Sequence, residues 1–224
     1  IQDDTPGGDQ TRTVSILYPE YLHILLRDDV ADRVRDIRDL AGLRVIMGQH
    51  GSGTAEVAAG TLAHFDLATT DYEPVFAKPD EEVALLRDGK ADAAFVLSAL
   101  PSTLVDSACS TGVARLLSLG DGHADADTSA AAGRVAAHPR FALATIPART
   151  YGAHPVHPVH TISVRAVLVT NKDADPRLVR AVAARLFRSR IQLARHHPAA
   201  LQLREDFRLE NFRYPAHDGA EDYF

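Results

Sequence analysis

The stretch that decides the fold is residues 39–54, which read DLAGLRVIMGQHGSGT. Residues 43–47 form a short apolar run bounded by glycines, which is typical of a buried parallel strand. Residues 48–53 are a glycine-rich loop, and residues 54–65 (TAEVAAGTLAHF) have the alanine content and apolar spacing of a helix that buries one side. The stretch therefore predicts a strand, a glycine loop and a helix in succession.

The same alternation continues on both sides of this stretch. Strands are predicted at residues 13–26, 72–76, 91–97, 113–119 and 161–170, and helices at residues 31–40, 79–87, 101–109, 129–137 and 176–195. The predicted inner face of the last helix consists of Leu178, Val179, Val182, Leu186 and Ile191. Strands that alternate with helices indicate an α/β fold with doubly wound sheets.

Composition narrows the possible partners. The chain has 224 residues, 46% of them hydrophobic, which is enough for a real core, and a net charge of -6 gives nucleic acid no overall attraction. The single cysteine, Cys109, excludes an internal disulfide and a cysteine-based zinc cage. No apolar run approaches the ~20 residues that a membrane span needs, and no signal-peptide pattern is present. These features favour a globular domain that binds neither nucleic acid nor zinc through cysteine.

The glycine loop carries the clearest chemistry. Glycines let the backbone turn sharply and approach a ligand, and the first N–H groups of the following helix have no partner within it. Ser52, Gly53 and Thr54 could therefore hold a carboxylate or phosphate at the positive end of the helix dipole. His50 and Gly51 lie beside them. The same pattern of strand, glycine loop and helix also occurs where the loop only joins the two elements and caps the helix. The loop is neither a P-loop nor a GxGxxG motif, so no nucleotide or other cofactor is expected.

Several segments resemble, in order, the TAXI family of TRAP-transporter solute receptors. Residues 39–54 are similar to its "DL-x-GK-x-V…G-x-x-GSGT" signature and residues 86–95 to its "LRDGKIDAAF". Residues 146–151 are similar to "IPAGTY", and residues 214–223 to the closing "HPGA-x-x-YY". None of these pieces is specific alone, but together they cover most of the chain.

The resemblance implies a type-2 periplasmic-binding-protein-like fold with doubly wound sheets in two lobes. It also implies capture of a small anionic solute, such as an amino acid or dicarboxylate, on the periplasmic or extracellular face. The solute would be passed to membrane transporter subunits, or the chain would belong to a protein with its own membrane segment. The family's opening "GTGG…YYP" segment has no equivalent before Thr13, so we expect an incomplete first lobe.

The resemblance also suggests a division of the chain. We expect a flexible lead-in at residues 1–12, a first-lobe strand and crossover at 13–30, and an α/β second lobe at 31–143. A return connector rich in proline and histidine follows at 144–160, and residues 161–224 supply a first-lobe strand, a long helix and a tail.

Other side chains are candidates for the ligand site. Tyr18 and Tyr151 flank the two predicted crossings and could close over a solute. Arg165 lies in an apolar strand, where a guanidinium needs a partner, either an acid or the ligand. His154, His157 and His160, spaced by three, could line one edge of a polyproline helix. They are weak metal candidates and otherwise belong to a solvated connector or face the cleft.

Two other classes of function are compatible with an α/β domain of this size. A sensor or interaction domain on the same fold would explain the missing first-lobe segment. An enzyme is disfavoured, because Ser52 is not in a G-x-S-x-G elbow, no HExxH motif is present, and no acid pair is placed for acid–base catalysis.

Overall fold

The computed structural model describes residues 1–2, 8–119, 130–203, 205 and 213–224. The described strands are β1 (Thr11–Arg27), β2 (Arg44–Ile46), β3 (Glu73–Val75), β4 (Ala93–Ser98), β5 (Ala114–Leu117), β6 (Phe141–Ile146) and β7 (Val159–Asn171). The described helices are α1 (Asp28–Ala31), α2 (Gly53–His64), α3 (Pro79–Arg87), α4 (Thr103–Ser110), α5 (Ala130–Ala137), α6 (Pro176–Arg188), α7 (Arg190–Ala194) and α8 (Asp218–Glu221). Short 3-10 turns occupy Ile37–Leu40 and Pro198–Gln202. The predicted mixed α/β fold with an open sheet is confirmed.

The chain divides into two compact units. The first unit comprises Ile1–Glu20 and Val164–Phe224, and the second comprises Tyr21–Ser163. Strands β1 and β7 both cross this division, so each contributes residues to both units.

The sheet brings three parallel strand ends together. Its order is β3-β2-β4-β1-β7-β6, with β5 paired to β1. Strand β2 is parallel to both β3 and β4, with Ile46 opposite Val75 and Ala94. Strand β1 is antiparallel to β4, with Tyr21 opposite Ser98. The carboxyl ends of β2, β3 and β4 therefore lie at one edge, which we call the carboxyl edge.

The core of the second unit lies around β4. Leu25, Ile46, Leu86, Ala94 and Val105 belong to one buried cluster, and each is fully inaccessible to solvent. Burial of a large aliphatic side chain contributes roughly 1.5–3 kcal/mol, so this cluster fixes the strands that end at the carboxyl edge.

A charged cluster fastens β2 to the start of β4. Asp92 Oδ1 lies 2.8 Å from Arg44 Nη2 and 3.0 Å from Arg27 Nη2, and Arg44 Nε donates to Asp92 Oδ2 at 2.9 Å. Burial opposes ionisation of Asp92, but the hydrogen bonds and charge of Arg44 outweigh it and lower the pKa of Asp92. The two-pronged geometry orients both strands.

The single helix predicted at residues 176–195 is two helices in the structure. It is interrupted at Ser189, which ends α6 and precedes α7. Val179 is buried and Leu186 is half-buried, as predicted, but Leu178, Val182 and Ile191 are 61%, 43% and 60% exposed. The buried face instead consists of Val179, Ala183 and Phe187. It is rotated because the small Ala183 packs in one cluster with Ala220 of α8.

Other local differences concern the ends of elements. The helix predicted at residues 31–40 is not continuous. The chain instead forms α1, which ends at Ala31, and then the 3-10 turn Ile37–Leu40. Strand β6 ends within the predicted connector at 144–160. In the predicted lead-in at 1–12, Gln2 forms a β-bridge with Ala166, and Thr11 begins β1. The predicted loop at 120–128 lies outside the described residues.

Candidate functional site

Three helices of the second unit begin at the carboxyl edge. Strand β2 ends shortly before α2, β3 before α3, and β4 before α4. The first N–H groups of a helix lack intrahelical acceptors and carry the positive end of the helix dipole. Ligands of open α/β sheets bind outside the carboxyl ends of the strands. The carboxyl edge is thus the candidate site.

The loop between β2 and α2 needs its glycines. Gly48 and Gly51 have φ of +81° and +73°, a region that side chains other than glycine rarely adopt. A Cβ on Gly48 would lie 2.9 Å from Cβ of Thr54, so this backbone passes close to the helix start. Gly51 faces open space. The loop therefore packs closely against the beginning of α2, where Gly53 and Thr54 are half-buried.

Ser52 caps α2, whereas the next two amides are left open. Ser52 Oγ accepts from Ala55 N at 3.2 Å, and Ser52 N donates to the Gln49 carbonyl at 3.0 Å. Among the described residues, no group accepts a hydrogen bond from the N–H groups of Gly53 and Thr54. Ser52 therefore caps the helix, and the two amides beside it are available to an anion.

His50 lies next to a side chain that the sequence prediction missed. Its ring centroid is 5.0 Å from that of Phe76, which is 49% exposed and follows β3. Ala77 N donates to the Gly48 carbonyl at 3.1 Å, so the two loops are fastened together. Lys78 then occupies the position before α3. The rule that ligands contact residues just after parallel strands could have identified Phe76 and Lys78.

Tyr151 lies beneath the edge as part of a buried polar network. It is 1% exposed, and its hydroxyl is 2.6 Å from His23 Nε2, while His23 Nδ1 is 3.2 Å from the Val96 carbonyl. Nδ1 of His23 thus donates to the carbonyl, and Nε2 accepts from the tyrosine hydroxyl. The Tyr151 hydroxyl is also hydrogen-bonded to the backbone of Ser102, the residue before α4. In this structure Tyr151 supports the start of α4 and has no exposed contact surface.

Burial sets the protonation of this network. Burial lowers the pKa of His23 to about 4, despite opposing backbone hydrogen bonds, and raises the pKa of Tyr151. Both groups are therefore neutral near neutral pH, as the hydrogen bonds require.

Tyr18 and Arg165 belong to the first unit, whereas the five loop residues at 50–54 belong to the second. The Tyr18 hydroxyl is 3.1 Å from His197 Nε2, and the two rings meet edge to face at 5.1 Å. Burial, followed by the charge of Glu20, raises the pKa of Tyr18. Arg165 is half-buried on β7. The predicted ligand contacts are thus divided between the two units.

The three spaced histidines line a cavity of about 850 Å³ in the second unit, together with Arg115 and Ser118. Across the described ranges, no group of three or more His, Cys, Asp or Glu side chains is placed to hold a metal ion. Cys109 also lines this cavity, and burial, with a smaller effect of Asp106, raises the pKa of its thiol to about 11. The thiol is therefore unreactive near neutral pH.

None of the helices in the described part of the chain has both the length and the apolar character required to cross a bilayer.

Several solved structures match part of their length to this chain at low sequence identity. The alkanesulfonate-binding protein SsuA from Xanthomonas axonopodis pv. citri, bound to MOPS, is 18% identical, with a TM-score of 0.46, over 84% of this chain and 53% of that chain. The ancestral amino acid-binding protein AncCDT-1, a precursor of cyclohexadienyl dehydratase, is 13% identical, with a TM-score of 0.44, over 87% and 60%. A protein from Bordetella bronchiseptica RB50 is 15% identical, with a TM-score of 0.50, over 87% and 53%. The chain thus spans less than two thirds of the length of these proteins.

A family model gives the classification. The model of the NMT1-like family matches residues 5–224, which is nearly the whole chain. This protein therefore belongs to the NMT1-like family.

Proposed function

We propose that this protein is an extracytoplasmic solute-binding receptor that holds a small carboxylate-bearing solute, an amino acid or a dicarboxylate, at the start of α2. In this proposal the receptor serves a TRAP-type transporter, as the ordered TAXI-like segments suggest. The location outside the cytoplasm rests on the same resemblance. The protein performs no catalysis.

The observation that carries the proposal is the pair of open amides on Gly53 and Thr54. A hydrogen bond between such an amide and an ionised oxygen contributes roughly 1.5–3 kcal/mol, and the helix dipole adds up to about 1 kcal/mol at an exposed site. Lys78 adds a positive charge at the same edge, and the contact of His50 with Phe76 offers an apolar wall beside it. A small anion with a short organic body fits this set of groups.

A thermal-shift screen tests the proposal. The full chain is heated with glutamate, succinate, ethanesulfonate and, as a neutral comparison, glucose. A ligand present at about a hundred times its Kd stabilises a protein by about 2.7 kcal/mol, which raises Tm by several degrees for a chain of this size. Stabilisation by glutamate or succinate supports the proposal. Stabilisation by ethanesulfonate alone would show that the solute carries a sulfonate instead of a carboxylate. If none of these anions stabilises the protein, the proposed receptor function is contradicted.

A proline substitution tests the site itself. Gly53→Pro removes one open amide, and proline is well tolerated at the first position of a helix. Ser52 already has the extended backbone, with φ of -82° and ψ of 159°, that a residue before proline requires. We expect roughly 10- to 100-fold weaker binding of the stabilising anion by calorimetry. Gly53→Ala keeps the amide and is the matched control. Equal affinity of the two variants would move the ligand away from α2.

A further inference from the structure

The segment Pro176–Ala194 with the following Arg195 is unusually basic. It contains no acidic residue, although the whole chain has a net charge of -6. Its six arginines are Arg177, Arg180, Arg185, Arg188, Arg190 and Arg195. All six side chains are exposed. In the part of the chain that the structure describes, none of them forms an ion pair. Six positive charges that lack an ion-pair partner among the described residues are therefore concentrated on α6, α7 and the residue that follows α7.

The same helices expose an apolar stripe. Leu178 and Val182 are one turn apart on α6, and Leu193 continues this side on α7. They are 61%, 43% and 40% exposed, although Val179 on the neighbouring face is buried. Val182 and Leu193 line a shallow groove of about 490 Å³ together with Arg185. We call Leu178, Val182, Leu193 and the six arginines the α6–α7 surface.

Exposed leucines framed by arginines are the signature of a helix that lies in a membrane interface. The apolar side chains enter the acyl boundary, while the guanidinium groups reach the headgroups on their flexible stems. We propose that the α6–α7 surface docks on anionic phospholipid. The helices lie on the membrane and do not cross it.

The charge and the apolar side chains of the α6–α7 surface together distinguish among its possible binding partners. A second copy joined through a two-fold axis would place arginines against arginines, which opposes association. Nucleic acid would use the arginines but leave the three apolar side chains without a partner. An anionic lipid surface satisfies both features at once, and each arginine near it contributes about 1 kcal/mol.

Vesicle flotation with the full chain tests the proposal. The protein is mixed with vesicles of phosphatidylcholine alone or of phosphatidylcholine with phosphatidylglycerol, at low and at high salt. We expect flotation only with phosphatidylglycerol, and its loss at high salt, because salt screens the attraction. Equal flotation with both vesicles, or none with either, overturns the proposal.

Matched variants assign the binding to this surface. Arg177→Gln, Arg185→Gln and Arg188→Gln are combined in one variant, and Leu178→Ser, Val182→Ser and Leu193→Ser in another. The arginine variant should lower the partition coefficient on the order of a hundredfold, and the apolar variant should also weaken binding. Controls change exposed residues of the second unit: Arg33→Gln, Arg87→Gln and Arg149→Gln together, and Leu143→Ser with Val156→Ser.

The remaining outcomes overturn the proposal. Controls that lose binding as strongly would show that overall charge or hydrophobicity is responsible. Light scattering that finds a dimer dissolved by the apolar variant, with no lipid binding, would assign the face to a second copy. All substituted side chains are exposed, and circular dichroism checks that each variant is folded.

Discussion

At the scale of single residues, burial shifts the pKa values of two side chains of the second unit in opposite directions. Burial lowers the pKa of His23 from 6.5 to about 4 and raises the pKa of Glu82 from 4.5 to about 7. The unfolded chain protonates His23 first as pH falls, so this residue removes stability between pH 6.5 and 4. The folded chain protonates Glu82 first, so this residue adds stability as pH falls from 7 to 4.5. Each effect amounts to about 2 kcal/mol between about pH 7 and pH 5, and the two nearly cancel.

Single substitutions should separate these opposing effects. In Glu82→Gln we expect the free energy of unfolding to fall by about 2 kcal/mol between about pH 7 and pH 5, because only the histidine contribution remains. In His23→Asn the same change of pH should raise it by a similar amount. Urea unfolding at both pH values measures this, with the exposed His157→Asn as the control. A Glu82→Gln variant as insensitive to pH as the parent chain would contradict the assignment.

The sequence predicted the glycine loop at this scale but not its surroundings. A strand, glycines and a helix follow from local pattern alone, so the order that puts Ser52, Gly53 and Thr54 at the start of α2 was predicted, and their contact with a ligand stays a prediction. Phe76 entered only as the end of a predicted strand, because its contact with His50 depends on the pairing of β2 with β3. The burial of Tyr151 against His23 joins residues far apart in sequence, which no local pattern reveals.

At the scale of elements, α8 packs against the beginning of α6 through a glycine. A Cβ on Gly219 would lie 2.8 Å from both Cα and the carbonyl carbon of Pro176, and a backbone cannot move aside as a side-chain tip can. Gly219→Ala should therefore destabilise the protein by about 1–3 kcal/mol, the usual cost of overpacking. Thermal unfolding measures it as a Tm lower by several degrees. Gly8→Ala, whose Cβ meets nothing within 4 Å, is the control. Equal Tm values for the two variants would show that α8 is not tightly docked.

The same contact explains why the buried face of α6 was predicted wrongly. Two apolar stripes run along this helix, and the predicted inner face joined Leu178 and Val182 of one stripe to Val179 of the other. The structure buries the stripe with Val179 and Ala183, because Ala183 is small enough for the close approach of Ala220. Only the tertiary position of α8 distinguishes these stripes, so the sequence could not.

At the scale of the whole molecule, both units are built on the same two strands. The mixed α/β class was predicted because each short strand and helix carries its own local signal. The sharing of strands was less visible, since β1 runs without interruption through Pro19, a residue that usually weakens or ends a strand. Strand β7 likewise supplies residues to both units.

Shared strands predict that the molecule unfolds as one cooperative unit. When one unit unfolds, its part of β1 is no longer held in place. The part of β1 in the other unit then loses its anchored continuation, so neither unit should persist alone. We test this with Leu22→Ala in the second unit and Phe187→Ala in the first, which remove buried side chains at a cost of about 2–5 and 3–5 kcal/mol. Both variants should lower the Tm of a single calorimetric transition, with equal calorimetric and van't Hoff enthalpies. Two transitions, of which each substitution shifts only one, would show that the units fold independently despite the strands that join them.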